Sequence, residues 1–135
     1  MSSNRKWLKI CSFAQFILAI AAFIIAFIAA QGASELGSDI SLGELVLFWL
    51  DKILYAVLGF LSLADSVMGI HGANRPSALG SHRLLCILGV VFGIVAMIVS
   101  GAGAGVPVVP CITVVVDAAA AVFDTKVRKE LDERR

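Results

Sequence analysis

Asp65 and Asp117 each interrupt a long apolar stretch, and Gln15 interrupts another. Ser62 and Ser66 stand within one helical turn of Asp65. Counted at 1.5 Å per residue from the nearest basic flank, Gln15, Asp65 and Asp117 fall at one depth, roughly 8–11 Å in. Carboxylates in apolar surroundings either accept hydrogen bonds inside the fold or hold a proton or cation. No lysine or arginine shares their depth, so these five residues form a polar layer that is a candidate proton or cation site.

Other chemistry is sparse. Cys11, Cys86 and Cys111 include no Cys-x-x-Cys pair, which argues against thiol oxidoreduction. His71 and His82 flank a polar connector, where interfacial residues without a ligand role are expected. No metal site and no cofactor are therefore anticipated. His-Glu-x-x-His, a glycine-rich phosphate loop and Gly-x-Ser-x-Gly are all missing from the sequence. Ser62 and Ser66 have no histidine or lysine nearby in sequence to activate them. Enzymatic function is not expected.

The elements that position this layer follow from composition. Of 135 residues, 59% are apolar before the 12 glycines are counted, and 16% are charged against about 25% in soluble domains. A soluble domain of this size could not hide so much apolar surface. At ~20 residues per membrane span, four spans fit, near residues 7–30, 45–70, 84–100 and 106–124. The expected fold is an all-α membrane protein: one domain, 1–135, forming a compact up-down bundle of four transmembrane helices. Continuous apolar runs exclude the alternating pattern of barrel strands. The first run, uncharged after Lys9, exceeds the roughly 7–15 residues of a signal-peptide core and reads as an uncleaved anchor. A net charge of +1 gives no basis for nucleic-acid binding.

Charge placement gives the orientation. Arg5, Lys6, Lys9, Arg75, Arg83, Lys126, Arg128, Lys129, Arg134 and Arg135 lie on one side of the spans. The loop from Gln31 to Glu44 carries Glu35, Asp39 and Glu44 and no basic residue. The positive-inside rule then puts both termini in the cytoplasm of a plasma (inner) membrane. Lys52, beside Asp51, either snorkels outward or pairs locally. The tail from Lys126 is expected to continue the fourth helix, supported by Lys126–Glu130 and Glu130–Arg134 at i, i+4. Pro107 and Pro110 suit its first turn. In the connector after His71, Gly72 and Gly80 are expected to bracket the turn, with Gly72 as helix cap.

Small residues recur at alternating spacings of four and three, as close helix contact requires. The first span shows Gln15, Ala19, Ala22, Ala26, Ala29 and Ala33; the second Tyr55, Gly59, Ser62, Ser66 and Gly69. The third carries Cys86, Gly89, Gly93, Ala96 and Ser100, with Gly89, Gly93 and Ala96 as its packing residues. These stripes serve packing within one chain or association of chains, the third span being the candidate face for the latter. Two functions follow. One is a non-enzymatic structural, accessory or regulatory tetraspan whose partners are the bilayer and a homo-oligomer or larger membrane complex. The other is an oligomeric proton- or cation-coupled transporter or channel built on the carboxylates. Carboxylates turned inside one bundle favour the first; carboxylates lining a wet cavity or symmetry axis favour the second.

Overall fold

The computed structural model describes residues 2–32, 37–102 and 108–134. Four helices, α1 (Ser3–Gln31), α2 (Leu42–Asn74), α3 (His82–Ala102) and α4 (Val108–Glu133), make up almost all of it, and no strand occurs among the described residues. All four are long and apolar enough to cross a membrane. The expected roles of Ala33, Glu35, Val106, Pro107 and Arg135 lie outside the described residues.

Helix boundaries have local causes. Ser2 caps α1 by accepting from the Arg5 N–H at 3.3 Å. Ser41 and Glu44 form a reciprocal capping box, each side chain accepting from the other's backbone N–H at 3.2 and 3.1 Å. That box starts α2 three residues ahead of the apolar run and satisfies two N–H groups that the helix leaves free. At the far end, Arg75 precedes Pro76, whose ring disfavours helical backbone before it, and a single 3-10 turn, Pro76–Ala78, follows. Gly80 has φ +49° and supplies the left-handed step into α3. Gly72 corrects the expectation of a cap: α2 runs on through it to Asn74. Its missing Cβ leaves the space that the Leu79 side chain fills.

Polar contacts show that consecutive helices run antiparallel. Arg5 at the start of α1 donates to the carbonyls of Ala73 and Asn74 at the end of α2, both at 2.6 Å. Ser100 near the end of α3 donates to Asp51 Oδ1 near the start of α2 at 2.6 Å. Asn4 of α1 donates to Glu130 near the end of α4 at 2.6 Å. The helices thus alternate in direction around a ring, α1 touching α2 and α4, and α3 touching α2 and α4. The helical tail lies within α4, where Glu130 accepts from Asn4 and also feels the charge of Arg134 one turn on. The i, i+4 ion pair observed there is Arg128–Asp124, at 2.6 Å. Lys52 pairs with Asp51 at 3.4 Å and lies over the Phe48 ring at 4.2 Å.

Residue distribution inverts that of a water-soluble bundle. Ile17, Phe27, Ile28, Phe60, Val67, Ile98 and Val115 are each more than 60% exposed, whereas Ser12, Gln15, Ser62, Asp65, Ser66, Thr113 and Asp117 are buried. Buried positions recur along each helix at spacings of four and three. On α3 they are His82, Cys86, Gly89, Gly93, Ala96 and Ser100. On α4 they are Val109, Thr113, Asp117, Ala120, Asp124 and Val127, with Pro110 buried beside the first. The glycines let α3 and α4 approach: a Cβ on Gly93 would lie 2.5 Å from Val114 Cγ2. Ala96 faces the other way, into an apolar cluster with Leu54 and Leu58 of α2.

Candidate functional site

The polar residues converge in the half of the bundle nearer the two termini. Gln15 of α1 donates from Nε2 to Asp117 Oδ1 of α4 at 2.8 Å, and the same nitrogen is 3.9 Å from Cys86 Sγ of α3. Asp117 and Asp65 meet at Gly89. A Cβ there would overlap the Asp117 carboxylate and lie 3.6 Å from Asp65 Oδ2, so glycine opens the notch that both occupy. Ser66 and Ser62 are buried on the adjoining turns of α2, at 1% and 2% exposure. Gln15, Asp65 and Asp117 are fully buried, so all five residues of the anticipated layer lie inside the bundle.

The structure adds residues that the sequence reading placed elsewhere. His71 is exposed, but His82 is buried completely, not interfacial. Its Nδ1 is 2.7 Å from Asp124 Oδ2, and Arg128 Nε is 2.6 Å from the other oxygen of Asp124. In the neutral ring, an Nδ1–H donated to the Asp124 carboxylate leaves the lone pair on Nε2. That nitrogen is 3.6 Å from Cys86 Sγ, one helical turn further along α3. Gly69 makes the space on the α2 side, where a Cβ would come 3.0 Å from His82 Nε2 and overlap the Ser12 hydroxyl. Ser12 itself turns back to the Leu8 carbonyl at 2.9 Å.

Burial fails to reach His82 in a sequence reading because sequence spacing alone does not set which face of α4 turns toward α3. The turn holding Asp124 continues beside the start of α3, where Asp124 meets His82. The connector is drawn onto the same turn, with Arg128 donating to the Gly80 carbonyl. A signal was present: His82 lies four residues before Cys86, in step with the stripe already read on α3. Asp124 lies seven after Asp117, the two-turn repeat of the same face.

Chemically, the cluster is rich in acceptors and poor in donors. Outside the Arg128–Asp124 ion pair, the buried atoms without a hydrogen-bond partner are Gln15 Oε1, both oxygens of Asp65 (save for the Cys86 thiol), Ser66 Oγ and Asp117 Oδ2. Asp65 Oδ, His82 and Cys86 each present a metal-ligating atom, and the three atoms lie within 4.8 Å of one another. These atoms face one another inside the bundle, an arrangement able to hold something electropositive. Comparison with protein-family models, with curated proteins and with solved structures finds no match for this chain.

Proposed function

We propose that the chain is a small multi-pass membrane protein without catalytic activity, a structural, accessory or regulatory tetraspan working through helix contacts. The observation that carries this reading is the inverted residue distribution, with Asp65 and Asp117 fully buried inside one chain while large aliphatic and aromatic groups face outward. An outward apolar surface of that extent fits lipid or partner helices. On the proposed placement both termini lie in the cytoplasm and the bilayer is the inner (plasma) membrane, as the basic end of the bundle favours. The Gly89 and Gly93 face of α3 is filled by Asp117 and Val114 of its own chain, which supports use of that stripe within the bundle rather than between chains.

The transporter reading would be supported by carboxylates on a wet cavity or an axis between chains. Reconstitution into liposomes under an imposed proton or potassium gradient separates the two. The expected result is a flux equal to that of protein-free liposomes. A flux well above that background, lost in Asp117→Asn, would replace the tetraspan reading with transport.

A further inference from the structure

We infer that Asp65, His82 and Cys86 form a binding site for a zinc-class divalent transition metal that ties α2 to α3. This goes beyond the tetraspan reading and stands or falls separately from it.

The donor set comes first. Zinc takes imidazole nitrogen, thiolate sulfur and carboxylate oxygen at about 2.0–2.3 Å, and a tetrahedral ion at those lengths holds its ligand atoms about 3.3–3.8 Å apart. His82 Nε2 and Cys86 Sγ are already 3.6 Å apart, on one face of α3 at i, i+4. All three donor atoms lie within 4.8 Å, so closing the third side of the site takes about 1 Å of side-chain movement. Asp65 is the independent pointer to a ligand. It is fully buried, and beyond the Cys86 thiol, itself a ligand of the proposed site, neither of its oxygens has a hydrogen-bond partner. Asp117 beside it is held by Gln15, so Asp65 is the carboxylate left over.

The surroundings match what such a ligand set needs. Metal-bound histidines usually donate their second N–H to a carboxylate, which fixes the ring and its tautomer. Asp124 does this for His82 at 2.7 Å and is itself held by Arg128 at 2.6 Å. Gln15 Nε2, 3.9 Å from Cys86 Sγ, offers an N–H toward the sulfur. Charge also balances. A divalent ion with one carboxylate, one thiolate and one neutral imidazole is neutral as a unit, the condition under which charge is tolerable inside an apolar bundle. Binding releases the thiol proton of Cys86, and the proton of the Asp65 carboxyl where it carries one, to solvent, and no electron is transferred.

The test uses the full-length chain, purified in detergent and stripped with a chelator. Co2+ is titrated as a probe of thiolate ligation, followed by competition with Zn2+. Expected are one Co2+ per chain, a thiolate-to-Co2+ charge-transfer band, and its removal by Zn2+. The band should vanish in Cys86→Ser and persist in Cys11→Ser and Cys111→Ser. Asp124→Asn, which leaves the three ligands in place, should weaken Zn2+ binding about 10–100-fold. Thermal unfolding of the unaltered chain with and without Zn2+ guards against a variant that fails to fold: Zn2+ should raise the Tm. A folded wild-type chain showing neither band nor Tm increase would overturn the site, as would a band that survives Cys86→Ser.

Discussion

Adding one methyl group at Gly93 should force α3 and α4 apart by a measurable energy. A Cβ there meets Val114 Cγ2 at 2.5 Å, whereas carbon atoms in good contact sit about 3.5–4.0 Å apart. Relief requires about 1 Å of movement, and the backbone helps little, because the Pro110 carbonyl oxygen stands 3.6 Å from the same point. Overpacking of this kind typically costs about 1–3 kcal/mol, so Gly93→Ala should lose that amount and Gly93→Leu more. The clash is with one methyl of one side chain, which makes the mechanism separable from a general loss of helix flexibility. Val114→Ala removes that methyl, so Gly93→Ala combined with Val114→Ala should be more stable than the sum of the single losses by about 1–2 kcal/mol. Val91→Leu, at a half-exposed position of the same helix, should change stability by no more than about 0.5 kcal/mol. Reversible unfolding in detergent, followed by circular dichroism, measures all five variants. Strict additivity of the Gly93 and Val114 changes, or equal losses for Gly93→Ala and Val91→Leu, would refute the contact as the source of the energy.

Gln15→Leu should cost about 1–2 kcal/mol in the same assay, the range found for hydrogen bonds between helices in lipid, because Asp117 Oδ1 loses its donor at 2.8 Å. Phe16→Leu, on the outer face of α1, is the matched control, and losses equal to it would show that the Gln15–Asp117 bond contributes nothing. A single thiol placed at exposed Ser38, with Cys11, Cys86 and Cys111 replaced, should react with an impermeant maleimide from outside intact cells. Labelling only after the membrane is opened would reverse the proposed orientation.

The four helices were legible because their signals are long and repeated. Apolar runs of twenty residues and small residues at four-and-three spacing survive an error of a few residues at either end. The depth coincidence of Gln15, Asp65 and Asp117 was legible for the same reason, since rise per residue converts position into height without knowledge of rotation. Pairing across helices was not. Whether Asp65 meets Gln15, a serine or a histidine depends on how each helix is turned, and the sequence near it is equally compatible with each. His82 was hidden for the same reason. It begins its helix beside a polar connector, and only the rotation of α4, which turns Asp124 toward it, buries it. Gly72 misled for a related reason: a glycine near a helix end suits a cap, but here it admits Leu79, which is a tertiary contact.

The alternation of plain and acid-bearing helices along the chain bears on how it is made. On the insertion scale an aspartate at the centre of a helix costs about 2.5–3.5 kcal/mol, and α2 and α4 carry such residues while α1 and the middle of α3 carry none. Each demanding segment therefore emerges from the ribosome directly after an undemanding one that it packs against, α2 after α1 and α4 after α3. On the proposed membrane placement, entry as two hairpins would let the first member of each shelter the second at the translocon. Asp117 nevertheless finds Gln15 only when the second hairpin docks on the first. Until then its carboxylate has no partner from α1, and a chain arrested between those two events would display to the quality-control proteases the acid that the finished bundle conceals.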